Sequence, residues 1–158
     1  MDRQAWNPEF SRRFGRREAE LKQLYSGLYR NDEGAWSYFL DMIYRAYEAR
    51  PESLREMDRA READPDWYKG NDLVGMLMYV KAFAGTLNGV REKLDYIADC
   101  GVNYLHLMPL LESPEGRSDG GYAVSDFRKV QPELGTMEDL AALASDCHDG
   151  VSPCAWIS

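Results

Sequence analysis

The spacing of apolar residues changes near residue 70, and this change constrains the fold more than any other feature of the sequence. Before that point the apolar residues recur with the period of an α-helix, and after it short apolar runs alternate with helical patterns. The chain has 158 residues, 44% of them hydrophobic, which is enough apolar material for a packed core. The sequence therefore predicts a helical domain over residues 1–70 and an α/β region from residue 71 onward.

The first 70 residues predict three helices. One helix follows Asn7 and Pro8, and another begins at Pro51. Between them lies one apolar helix face, formed by Trp36, Phe39, Leu40, Ile43, Tyr44 and Tyr47. The highly charged stretch 58–66 is typical of a solvated helix end that runs into a linker rather than of a binding site.

The residues after the linker predict one strand–helix–strand unit. The apolar run 73–83 suits a strand that is buried on both faces. Asn88 is expected to cap a helix that buries Val90, Leu94 and Ile97 and ends at Gly101. A second strand over residues 104–108 follows at once, so that about thirty residues form a βαβ unit of a parallel sheet.

Composition excludes several classes of partner. The chain has 27 Asp and Glu against 19 Lys and Arg, and its net charge of -8 argues against nucleic acid. No apolar run approaches the roughly 20 residues of a membrane span, and the start lacks the pattern of a signal peptide, so we expect a cytoplasmic protein without a membrane partner. Cys100, Cys147 and Cys154 include no Cys-x-x-Cys pair, which indicates reduced thiols, with neither a metal site nor another cofactor.

The long loop from Pro109 to Phe127 is the segment in which we expect binding residues, because parallel α/β folds carry their sites on such loops. Within it, Asp119 and Tyr122 flank two glycines. Asp119 could bind ligand hydroxyls and Tyr122 could cover a sugar face, or both residues could only stabilise a tight turn. His106 alternates with apolar residues on the second strand, which indicates a core histidine rather than a ligand or base.

Four segments resemble the amylosucrases of the alpha-amylase family of glycoside hydrolases, with sucrose hydrolases as the nearest alternative. They are, in order, Tyr79-Val80-Lys81-Ala82-Phe83-Ala84-Gly85, Tyr104-Leu105-His106-Leu107-Met108-Pro109-Leu110, Asp119-Gly120-Gly121-Tyr122-Ala123-Val124 and Leu134-Gly135-Thr136. The helices before residue 70 also resemble the amino-terminal domain of that group. The resemblance implies that residues 71–149 are the start of an incomplete (β/α)8 TIM barrel.

The resemblance also implies a function. Amylosucrases transfer the glucosyl unit of sucrose, with retention, to an α-1,4-glucan and release fructose, so the partners of a full-length protein would be sucrose and α-glucan. Asp119 and Tyr122 match residues that line the glucosyl pocket, whereas Lys81 stands where these enzymes usually have Asp. The family's catalytic carboxylates lie on later strands, so we assign no catalytic residue here and expect this chain alone to be inactive.

The last nine residues, 150–158, do not continue the family pattern, which has a third strand at this point. A shifted reading frame of the same codons permits such a strand, so we expect residues 150–158 to be an out-of-frame tail rather than a divergent terminus. Two other functions stay open. One is a helical interaction module formed by residues 1–70, and the other is a non-catalytic carbohydrate-binding protein that uses Asp119 and Tyr122.

Overall fold

Four helices, rather than the three expected, make up the start of the chain in the computed structural model, which describes residues 5–148 and 155–157. They are α1 (Pro8–Gly15), α2 (Glu18–Tyr29), α3 (Glu33–Ala49) and α4 (Glu52–Ala63). The expected first helix is divided at Arg16 and Arg17, where the backbone leaves the helical path between α1 and α2. The chain forms two compact units, Met1–Glu56 and Met57–Ser158.

Aromatic side chains fill the core of the first unit. The buried residues are Trp6, Phe10, Trp36 and Leu40. Trp6 stacks on Tyr44 with ring centroids 5.6 Å apart, and Phe10 stacks on Phe14 at the same distance. Helix α1 is capped by Asn7, whose side-chain oxygen accepts a hydrogen bond from the backbone N–H of Glu9.

The second unit contains short strands and helices around an aliphatic core. After a 3₁₀ turn at Trp67–Lys69, the elements are β1 (Gly75–Met78), α5 (Val80–Ala84), α6 (Leu87–Arg91), α7 (Leu94–Asp99), β2 (Tyr104–Leu107), β3 (Leu111–Glu112), β4 (Asp126–Val130), α8 (Met137–Asp146) and β5 (Ala155–Ile157). The side chains of Leu87, Val90, Leu107 and Leu143 are fully buried. The change of period near residue 70 thus lies inside this unit, just before β1.

Strands β1 and β2 are parallel, as predicted, with Gly75 opposite Tyr104 and Met78 opposite Leu107. This βαβ arrangement agrees with the expected start of a (β/α)8 barrel. Strand β5 also pairs in parallel with β2, so the sheet order is β1-β2-β5. The expected out-of-frame tail spans residues 150–158, of which residues 150–154 and 158 lie outside the described residues. Ala155–Ile157 forms the third strand of the sheet, which the tail hypothesis did not predict.

Two predicted elements are wrong in their extent. The run 73–83 is not one strand buried on both faces, because β1 ends at Met78 and α5 follows, and Leu77 is 63% exposed. The helix expected from Asn88 is two helices, and its cap is Thr86, whose hydroxyl accepts a hydrogen bond from the N–H of Gly89 at 3.1 Å. The predicted apolar positions of those helices are nevertheless buried: Val90, Leu94 and Ile97.

One other local prediction, the residue at which α7 ends, is confirmed. Gly101 has φ of +75°, the left-handed conformation expected where α7 ends. Thr136 and Asp139 form a reciprocal capping box at the start of α8. Cys100 and Cys147 are free thiols, whereas Cys154 lies outside the described residues. No helix in the described part of the chain is long and apolar enough to cross a membrane.

Candidate functional site

The candidate site lies where the chain leaves the carboxyl end of β2. The long loop expected there contains a small antiparallel hairpin that the sequence did not predict, formed by β3 and β4. Gly121 brings the loop back against Pro109, because a Cβ atom at Gly121 would lie only 2.8 Å from the Cβ atom of Pro109. Gly121 also has φ of +96°, which side chains rarely tolerate. The loop therefore packs against the end of β2 as only glycine permits.

An apolar cavity of about 270 Å³ opens on one side of this contact. Tyr122 is 61% exposed at its edge, and its hydroxyl donates a hydrogen bond to the sulfur of Met108 at 3.6 Å. The cavity is lined by His106, Met108, Pro109, Leu110, Leu111, Gly121, Tyr122, Val124 and Phe127. An exposed ring beside an apolar cavity can cover the apolar face of a sugar.

A second and more polar cavity, of about 230 Å³, shares Pro109, Leu111 and Gly121 with the first. Its remaining lining residues are Tyr79, Val80, Lys81, Ser113, Gly120, Gln131, Glu133 and Leu134. The Lys81 ammonium forms an ion pair with Glu133, with Nζ 2.6 Å from Oε2. The unusual Lys81 is thus held by a carboxylate from the segment after β4.

Asp119 is exposed and lines neither of these cavities. Its backbone carbonyl accepts a hydrogen bond from the N–H of Tyr122 at 3.2 Å, which places both residues in one turn. Among the described residues, its carboxylate has no hydrogen-bond or ion-pair partner, so the bond to its own backbone that a purely structural aspartate makes is absent. The assignment of Asp119 and Tyr122 to a glucosyl pocket stays a prediction.

His106 is not the core histidine that its alternation with apolar residues indicated. Its neighbours Leu105 and Leu107 are buried, but His106 is half-buried and lies on the wall of the apolar cavity. The sequence pattern identified the strand correctly. It could not show that the opposite face of β2 meets a cavity instead of a packed helix.

The carboxylates of the hairpin are held in structural contacts. Lys129 Nζ lies 3.3 Å from an oxygen of Glu112 and 3.6 Å from one of Asp126. The backbone N–H and the guanidinium of Arg128 also bond to Asp126 and lower the pKa of that carboxyl. A carboxyl with a lowered pKa is a poor proton donor, so Asp126 is unsuited to the role of a glycosidase general acid. No group of three potential metal ligands occurs within residues 5–148.

Comparison with known proteins gives a family match over most of the chain. The model of the alpha-amylase catalytic domain matches residues 23–151. Trehalose-6-phosphate hydrolase of Bacillus subtilis is 39% identical over 94 residues, which is 55% of this chain and 16% of that protein. The chain therefore spans about a sixth of the length of this relative.

Among the solved structures with a similar fold, two resemble just over half of this chain. An isomaltulose synthase variant of Erwinia rhapontici, in complex with D-glucose, is 31% identical with a TM-score of 0.50, and the match covers 54% of this chain and 16% of that one. A variant of MutB in complex with its substrate sucrose is 29% identical with a TM-score of 0.50, over 59% of this chain and 17% of that one.

Proposed function

Because this chain belongs to the alpha-amylase family, we propose that it supplies the first part of the glucosyl pocket of a sucrose-using, amylosucrase-like glucosyltransferase. The observation that carries the proposal is the loop after β2, where Gly121 and Tyr122 border a cavity at the carboxyl end of a parallel strand. Active sites of (β/α)8 barrels lie at that end. The sucrose complex of a structural neighbour supports sucrose as the substrate.

In the proposed reaction, a carboxylate attacks the anomeric carbon of sucrose while a carboxylic acid donates its proton to the departing fructose oxygen. The glucosyl group, now bonded to the enzyme, then passes to a hydroxyl of an α-glucan, whose proton returns to the second carboxylate. Retaining enzymes hold these two carboxyls about 5 Å apart. Asp119 would bind sugar hydroxyls by charge-assisted hydrogen bonds, and Tyr122 would hold the ring face.

The proposal assigns the catalytic carboxylates to strands of the barrel other than β1 and β2. Purified as it stands, the chain is therefore expected to release no fructose from sucrose above a buffer control. Turnover that copurifies with the homogeneous chain, and that is lost in a Tyr122→Ala variant, would contradict this assignment of the chemistry.

The binding role is tested in a protein that unites this chain with the remaining strands of the barrel. Asp119→Asn should lower kcat/KM for sucrose by at least about tenfold, because a charged hydrogen bond is worth about 1.5 to 3 kcal/mol. Tyr122→Ala should also impair sucrose use, and Tyr122→Phe should be much milder because the ring is kept. Tyr96→Ala and Asp99→Asn, which remove an exposed ring and an exposed carboxylate elsewhere, should have no effect.

The thermal stability of each variant separates binding from turn formation. Loss of activity at unchanged thermal stability supports a binding role. Parallel loss of activity and stability in Asp119→Asn, or a normal kcat/KM, would assign Asp119 to the turn.

A second candidate is hydrolysis of another α-glucoside, which the relative that acts on trehalose 6-phosphate favours. The same completed protein distinguishes the two, since transfer yields a growing glucan together with fructose, whereas hydrolysis yields free glucose. Sucrose hydrolysis would appear as equal amounts of glucose and fructose.

A further inference from the structure

A half-buried glutamine, Gln131, lies at the base of the loop that carries Asp119 and Tyr122. It follows β4 directly and lines the polar cavity. Its side-chain oxygen Oε1 accepts a hydrogen bond from the backbone N–H of Ser113 at 3.1 Å. This bond joins two segments that are 18 residues apart in sequence, at the point where the chain leaves β3.

The loop from Ser113 to Ser125 is held in different ways at its start and at its end. At the end, the N–H and the hydroxyl of Ser125 donate hydrogen bonds to the carbonyl of Glu112 at 2.8 and 3.0 Å. At the start, strand pairing gives no such support, because β3 ends at Glu112. Among the described residues, Gln131 is the only hydrogen-bond partner of the Ser113 N–H. The start of the loop is therefore held by a side chain, which a substitution can remove.

The backbone of Gln131 is itself fixed. Its N–H donates to the carbonyl of Leu110 at 2.8 Å, and its carbonyl accepts from the N–H of Leu134 at 2.9 Å. Leu134 is buried in the aliphatic core of the second unit. The ion pair between Lys81 of α5 and Glu133 adds a further link to the same segment. A side chain on a backbone held in this way can serve as an anchor for the loop.

We propose that Gln131 is a positioning residue for the glucosyl pocket, which holds the start of the loop so that Asp119 and Tyr122 keep their places beside a bound sugar. Gln131 acts through these two residues and through its bond to Ser113. Binding side chains need to be held within about 0.5 Å, and a loop is less precise than a helix or strand unless other groups support it. This role rests on the proposed function, whereas the hydrogen bond to the loop exists in the chain as it stands.

Two replacements of similar size separate the hydrogen bond from the packing of the side chain. Gln131→Met keeps the length of the side chain and removes the acceptor, whereas Gln131→Glu keeps an oxygen that can accept from the N–H of Ser113. Ser113→Ala is the matched control, since Ser113 donates through its backbone and its hydroxyl makes no hydrogen bond among the described residues. Only Gln131→Met should therefore release the loop.

The hold on the loop is measured in the full chain without sugar. In Gln131→Met, hydrogen exchange of the Ser113 amide should become about threefold to tenfold faster, because a hydrogen bond is worth about 0.5 to 1.5 kcal/mol. Trypsin should cleave after Arg117, which is exposed within the loop, faster by a similar factor. Gln131→Glu and Ser113→Ala should match the parent chain in both measurements.

The consequence for sugar binding is measured in the protein that unites this chain with the remaining strands of the barrel. Gln131→Met should lower kcat/KM for sucrose about threefold to tenfold, mostly through a higher KM, because the loop binds the glucosyl unit before and during the reaction. Gln131→Glu and Ser113→Ala should stay near the parent. A residue that only stabilises the fold would lower the melting temperature and leave KM unchanged.

Two results would overturn the positioning role. The first is unchanged exchange and cleavage in Gln131→Met, or an equal increase in Gln131→Glu, since either would show that the bond to Ser113 does not hold the loop. The second is a Gln131→Met protein with a released loop and a normal kcat/KM. A completed parent protein without activity on sucrose would instead overturn the proposed function and this role with it, while the measurements on the chain alone would still show whether Gln131 holds the loop.

Discussion

The two units of this chain bury different kinds of side chain. The first is organised around aromatic rings, with Trp36 and Phe10 buried among further aromatic residues. The core of the second contains no fully buried aromatic residue in its described part, and Leu and Val predominate in it. Leu28 of α2 and Tyr38 of α3 stay exposed, whereas the aliphatic core buries Leu107 of β2 and Leu87 and Val90 of α6.

The two units also differ in net charge. The first unit is neutral and the second carries the entire net charge of -8. A neutral surface with an exposed apolar face favours association, while a strongly charged one opposes it. The first unit thus combines a net charge of zero with exposed apolar side chains, and the second combines an excess of negative charge with an aliphatic core.

The largest expected effect tests whether the aromatic core of the first unit folds independently of the second unit. Trp36→Ala should cost about 3 to 5 kcal/mol of unfolding free energy, because it removes a buried ring and leaves a cavity. Hydrogen exchange measured by mass spectrometry should show lost protection in residues 8–49 and little change in residues 86–146. Arg45→Ala, an exposed change on the same helix, should alter neither region. Equal loss of protection in both regions would show that the two cores unfold together.

A matching change tests the aliphatic core. Leu107 is fully buried on the central strand of the sheet, and Leu107→Ala should destabilise the second unit by about 2 to 5 kcal/mol. Leu107→Met, which conserves volume, should cost less than about 1.5 kcal/mol. Limited proteolysis of the Leu107→Ala variant should release a resistant helical fragment that ends near residue 66. Simultaneous digestion of both units would contradict independent cores.

A smaller effect is expected in the loop that borders the two cavities. Gly121→Ala should cost about 1 to 3 kcal/mol, since the added Cβ atom meets Pro109 and the backbone conformation is strained. Gly116 has φ of +65° but open space around it, so Gly116→Ala tests the strain without the steric contact. Chemical denaturation measures both variants. Equal destabilisation would show that the contact with Pro109 contributes nothing.

The comparison of the units also shows what sequence patterns can determine. The apolar positions of α3 and of β2 were predictable because each element buries one periodic set of side chains. The capping box at Thr136 was predictable because it is entirely local. The four segments indicated the alpha-amylase family, and the match of the alpha-amylase catalytic domain to residues 23–151 confirms this coarser assignment.

The remainder depended on tertiary contacts that no local pattern records. The division of the first helix at Arg16 and Arg17 has no proline to mark it. The hairpin was missed because three of the five residues of β4 are charged, namely Asp126, Arg128 and Lys129, whereas a strand signal needs apolar alternation. The position of His106 and the Lys81–Glu133 pair depend on segments more than 20 residues apart in sequence. Local sequence patterns therefore could not predict which residues line the polar cavity.

The smallest effect concerns the charge at the start of α8. Asp139 accepts hydrogen bonds from the backbone N–H of Thr136 and from the Asn88 amide, and these bonds lower the pKa of its carboxyl. A carboxyl with a lower pKa in the folded state stabilises that state fully above its unfolded pKa of about 3.9 and loses this contribution as the pH falls through the folded pKa. We therefore expect stability to decline with acidification below about pH 4, and Asp139→Asn to lessen that decline.

Urea unfolding midpoints between about pH 2 and pH 6 measure the difference between the parent chain and the variant. Glu138→Gln is the matched control, since Glu138 lies in the same first turn of α8 but makes no hydrogen bond to the cap among the described residues. The Glu138→Gln substitution removes one carboxylate and leaves the capping box of Thr136 and Asp139 intact. If Glu138→Gln lessened the acid-dependent loss as much as Asp139→Asn does, the effect would come from the general attraction of a helix amino terminus for negative charge, and the specific bonds of Asp139 would contribute little.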